Sequence, residues 1–139
     1  MLVILCAFIA HQVTWGWLRF VTSESILRLS SLLRLGACRI SGDVIEIRGQ
    51  QFQYVTACTF VDVALACIPL IWNIKASLAR NVGRVGVAFL ALFLLNVIRL
   101  EITVLLYYQR IPWTVADNFV AGCSYFLVWL VIWHTRSWA

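Results

Sequence analysis

The chain has 139 residues, 63% of them hydrophobic and 12% charged, with 11 Lys and Arg against 6 Asp and Glu for a net charge of +5. Soluble domains run near half apolar and a quarter charged, so an ordinary water-facing globule is excluded. Two Pro and seven Gly set among long apolar runs also exclude disordered and collagen-like chains.

The expected class is a single all-α integral membrane domain. It comprises about four transmembrane helices, an interfacial amphipathic helix and a small extramembrane hairpin. The first span is expected at about residues 2–20, ending near the interface anchors Trp15 and Trp17. It lacks a basic leading segment and a small-residue cleavage site, so it reads as a retained span and not a signal peptide. An interfacial helix follows at about 23–35. Thr22 or Ser23 is placed to cap it, Glu24 lies in its first turn and Gly36 stands as its stop. Ile26, Leu29, Leu32 and Leu33 share one face, and Arg28, Ser31 and Arg34 the other. Residues 43–55 then alternate with a period of two, which predicts a hairpin turning at Gly49. Three further spans are expected at about 55–74, 85–108 and 115–134, joined by two short connections.

The basic residues are scattered Arg without a stripe or run, which points to the lipid bilayer as partner and not to nucleic acid. Lys75, Arg80, Arg84 and Arg136 fall on one predicted side, and Arg28, Arg34, Arg39, Arg48 and Arg110 on the other. Counting loop charge therefore does not choose an orientation. Cys6, Cys38, Cys58, Cys67 and Cys123 have neither disulfide-framework nor metal-ligand spacing, and no cofactor or metal is expected.

Charges inside spans are costly and carry the information. Cys58 and Asp62 are four apart, hence on one face of the second predicted span. The third holds Asn96, Arg99 and Glu101, and the fourth opens with Asp117 and Asn118. Antiparallel threading brings these three regions to one side of the membrane. A structural reading pairs Arg99 with Asp62 to fix helix packing. A chemical reading makes them a site.

The stretches TACTFVDVALACIPL, LLNVIRLEITVLL and WTVADNFVAGCSYFLVWL, in that order, resemble the cysteine segment, the Asn-x-x-Arg helix and the final helix of the exosortase/archaeosortase family of membrane transpeptidase-like enzymes. DVIEIRGQQFQYV is similar to the polar stretch before that family's cysteine. The likeness covers roughly residues 40–134. It implies Cys58 as nucleophile, Arg99 as catalytic arginine, and cleavage or transfer of proteins bearing a C-terminal sorting signal outside the cytoplasmic face of a prokaryotic cell membrane. Asn96 and Asp62 would be supporting residues. Where the family carries a His at the start of the last span, this chain has Asp117 and Asn118. Where Ser-Gly often follows the family's cysteine, it has Thr59-Phe60. The alternative is a member that kept the fold without the chemistry and serves as an accessory or scaffold subunit of a larger membrane complex.

Overall fold

The computed structural model describes residues 15–137. Four helices and three strands occur among them: α1 (Gly16–Leu32), β1 (Ala37–Ser41), β2 (Val44–Ile47), β3 (Gln50–Gln53), a 3-10 turn (Thr56–Thr59), α2 (Val61–Ile71), α3 (Leu78–Tyr108) and α4 (Trp113–Ser137). The contacts divide the chain into two compact units, one up to Val97 and one from Ile98 onward, with α3 running through the boundary.

The expectation of about four transmembrane helices is corrected. Among the described residues only α3 is both long and apolar enough to cross a membrane. The predicted span at 2–20 falls largely outside the described residues, and α1 runs straight through its expected end. The span expected at 55–74 is broken: α2 is an 11-residue helix with Pro69 inside it, about 16 Å long against a hydrocarbon core of about 30 Å. α4, where the last span was expected at about 115–134, has 25 residues and carries Asp117 and Asn118 in its first turns.

The interfacial helix is corrected as well. α1 begins at Gly16, so Thr22 and Ser23 lie inside it, fully buried, and cap nothing. Ser23 donates its hydroxyl back to the Phe20 carbonyl at 2.9 Å. The helix ends with Leu35 N–H on the Ser30 carbonyl and Arg34 N–H on the Ser31 carbonyl. Arg34, two residues before the expected stop, takes the left-handed position with φ 58, and Gly36 follows with φ 66. The same arrangement closes α3, where Arg110 has φ 68 and Ile111 N–H reaches the Leu106 carbonyl.

The polar segment is a three-stranded antiparallel sheet in the order β1-β2-β3, not a two-stranded hairpin. β2 and β3 pair from Val44↔Gln53 to Ile47↔Gln50. Arg48 and Gly49 between them both have positive φ, which matches the right-handed twist of the strands. β1 pairs with β2 through a register shift between Arg39 and Ser41. That irregularity hides β1 from a search for strict alternation.

α1 packs on β1, β2 and the 3-10 turn. Ile26, Ile45 and Ile47 are fully buried, and Arg39 ties the layers together. Its guanidinium donates to Glu24 at 2.8 Å and to Ser23 at 3.2 Å, bonds the Gly42 carbonyl, and lies 4.7 Å over the Phe20 ring. Arg19 pairs with Asp43 and donates to the Tyr54 carbonyl at 2.9 Å, which fixes the exit from β3.

The Glu24 carboxyl is held below its ordinary value of 4.5, first by the hydrogen bond from Arg28 and then by that from Arg39. A lowered folded-state pKa means a contribution present above the unfolded value and lost as pH falls through the folded one. Glu24→Gln is expected to reduce amide-exchange protection in β1 at neutral pH and to match the wild type once the medium is more acidic than the folded-state pKa. A difference that persisted unchanged into acid would show that the charge of Glu24 is not what holds the strand.

Candidate functional site

Two polar clusters contain the residues singled out by the sequence, one in each unit. The first is built on the break before α2. Cys58 lies in the 3-10 turn, its N–H on the Val55 carbonyl at 2.9 Å, and Thr59 Oγ1 donates to the Thr56 carbonyl at 2.6 Å. Phe60 then adopts φ 61 and reverses the helical sense. A non-glycine residue there carries a cost of about 1–2 kcal/mol, offset by burial of the ring, which is 1% exposed. The reversal separates Cys58 from α2, so the expected single helix face carrying Cys58 and Asp62 does not exist. Asp62 sits in the first turn of α2, and its Oδ1 accepts the Val63 N–H at 2.9 Å. A carboxylate at a helix N-terminus is stabilised by the unpaired amides there.

Asn96 completes this cluster. It is fully buried on α3, and its Nδ2 donates to the Cys58 carbonyl at 2.6 Å. The cysteine is therefore held through its backbone while its side chain remains partly accessible. A small apolar recess lined by Leu18, Phe60, Val61, Ala64, Phe89 and Phe93 lies beside Thr59.

The second cluster joins α3 to α4. Arg99, 6% exposed, donates from Nη2 to Asp117 Oδ1 at 2.5 Å. Thr103, one turn on, bonds the Arg99 carbonyl at 3.0 Å. The ring of Tyr107 meets that of Trp113 edge-on at 6.0 Å, where the two helices connect. Of the two residues proposed to replace His, Asp117 is the one on Arg99. Asn118, about 100° further around the helix, is exposed. Glu101 is buried at 3% exposure. His134 is exposed in the last turns of α4, about 25 Å along the helix axis from Asp117. His11 lies outside the described residues.

Asn96, Arg99 and Thr103 recur at helical spacing and are all buried, so α3 carries one polar face. Its other side exposes Val87, Leu90, Leu94, Ile98, Ile102 and Leu105. No group of three or more His, Cys, Asp or Glu suited to a metal ion occurs among the described residues. Comparison with family models, with characterised proteins and with solved structures found nothing that matches this chain.

Asn96→Ala removes the partner of a buried backbone carbonyl and is expected to lower stability by about 1–3 kcal/mol. Asp117→Asn should cost less, about 1 kcal/mol, because the carboxylate is about one-third exposed and screened. Denaturant unfolding of the detergent-solubilised chain measures both. The reverse order would mean that the ion pair, and not the Asn96 amide, is the stronger internal tie.

Proposed function

We propose that this chain is an exosortase/archaeosortase-like integral membrane protein that cleaves or transfers proteins at a C-terminal sorting signal through Cys58. The observation that carries the reading is the bond from Asn96 to the Cys58 carbonyl. It links the cysteine segment to the Asn-x-x-Arg helix through the very Asn that the resemblance matches. Phe60 adds support. The position where the family often carries Gly has the left-handed backbone that Gly adopts without cost.

In this reading α3 crosses a prokaryotic cell membrane and the chemistry occurs on the non-cytoplasmic side. The Cys58 thiolate attacks the carbonyl carbon of the scissile peptide. The amide C–N bond breaks, the departing amine takes up a proton, and a thioester joins substrate to Sγ. An acceptor amine or water then attacks the thioester and releases the thiolate. A cation favours thiolate over thiol and stabilises the oxyanion of each tetrahedral intermediate, which is the role assigned to Arg99. Asp117 orients the guanidinium and stands where the family has its His. The departing amine takes its proton from water at the site, and the acceptor returns one to water when it attacks the thioester.

A second reading is favoured by one specific observation. The Arg99 charge is balanced by Asp117, as in a structural ion pair between helices. The chain would then be an accessory subunit of a larger membrane complex. The exposed side chains of α4, among them Phe119, Phe126 and Val131, would pack on neighbouring helices.

Reactivity of Cys58 separates the two. In a background with the other four cysteines changed to Ser, an impermeant maleimide applied from the non-cytoplasmic side should alkylate Cys58. Arg99→Gln should slow that reaction about tenfold, the effect of one pKa unit on the thiolate fraction. Cys58→Ala should abolish processing of the cell's C-terminally signalled proteins. A reaction rate indifferent to Arg99, with processing intact in Cys58→Ala, leaves the accessory-subunit reading.

A further inference from the structure

The connection between α2 and α3 has a construction that the proposed chemistry does not use. Asn81, 2% exposed, reaches back and bonds both backbone groups of Asn73. Its Oδ1 accepts the Asn73 N–H at 3.1 Å, and its Nδ2 donates to the Asn73 carbonyl at 2.9 Å. The Asn73 side chain in turn accepts the Lys75 N–H at 2.9 Å, and Ala76 N–H closes a turn onto the Asn73 carbonyl at 3.0 Å. The loop's polar backbone is thus tied inward. What it presents outward is apolar and cationic. Ile74 is 93% exposed and Leu78 69%, with Trp72 beside them, and Lys75, Arg80 and Arg84 are exposed around them. No acidic residue occurs anywhere from 72 to 84.

We infer that Trp72, Ile74 and Leu78, ringed by Lys75, Arg80 and Arg84, form an anchoring site for the anionic phospholipids of one membrane leaflet. An isoleucine almost wholly in water at the tip of a braced turn is an unfavourable arrangement that insertion among acyl chains would relieve. Three cations without a carboxylate complement the phosphate layer just above. Arg80 and Arg84 are one turn apart and share one side of α3, and Leu78, in the first turn, faces about 200° away from Arg80. The site stands at the N-terminal end of α3, the one helix among the described residues long and apolar enough to span a bilayer, where that layer would meet it. The inference rests on the membrane-spanning reading of α3. It adds which end of the helix grips charged lipid, and through which residues.

The test uses the full chain, expressed in cells and then purified in detergent. Alkaline carbonate extraction of the membranes comes first. Release of the chain would overturn the spanning reading and the anchor with it, whereas retention leaves the anchor to be judged alone. Native mass spectrometry then compares phosphatidylglycerol with phosphatidylcholine bound to the same preparation. The wild type is expected to retain phosphatidylglycerol preferentially. Lys75→Gln combined with Arg80→Gln and Arg84→Gln should reduce that preference about tenfold or more. Arg80→Lys with Arg84→Lys should restore it, since the leaflet is attracted by charge. The control combination Arg28→Gln, Arg34→Gln and Arg48→Gln should leave it unchanged. An equal loss in the control, no loss in the first combination, or displacement of the lipid by inorganic phosphate alone would overturn the site.

Discussion

Every interruption of a helix leaves backbone N–H and C=O groups without an intrahelical partner. This protein meets that demand with long polar side chains sent in from elsewhere in the sequence. Arg19 bonds the carbonyl of Tyr54 at the exit from the sheet, Asn96 that of Cys58 in the 3-10 turn, and Asn81 both backbone groups of Asn73 in the next loop. These bonds span 35, 38 and 8 residues. Each is therefore a tertiary tie and not a local cap. The non-helical segments keep their shape because of them.

The same constraint explains the distribution of left-handed residues. Trp15, Arg34, Arg48, Phe60 and Arg110 all have positive φ, and none is glycine. At Arg34 and Arg110 the strained residue closes a helix so that two orphan carbonyls find donors. At Phe60 it sets the cysteine turn at an angle to α2 and buries a large ring. The cost at each position is offset by hydrogen bonds or burial, which local propensity does not anticipate.

Conformational restraint of this kind bears on the proposed chemistry. A nucleophile carried on a uniform helix would have its carbonyl bonded within the helix and its side chain on a face shared with Asp62. The break at Phe60 instead leaves the Cys58 carbonyl to Asn96 and sends Asp62 to the start of α2. Asp62 there accepts the Val63 N–H and no longer shares a helix face with the cysteine. Arg99 is set by a carboxylate on another helix, Asp117 of α4.

Composition alone pointed to a membrane, and α3 with its exposed apolar stripe was legible as an uninterrupted run. The polar residues that tie the helices were conspicuous too, because Asn96, Arg99 and Asp117 stand among so few polar side chains. The β2–β3 turn followed from alternation around Gly49. Hydropathy averages over a window and is blind to a single reversed residue, so the breaks that reduce the expected spans could not be read in the same way. A run from 55 to 74 looks continuous whether or not Phe60 is left-handed. Spacing showed that Arg99 needed a partner and pointed to Asp62, whereas the acid set on its guanidinium is Asp117. That choice, like the one that sends Asn96 to the Cys58 carbonyl and Asn81 to Asn73, depends on which backbone groups the folded chain leaves unsatisfied, and only the tertiary structure decides that.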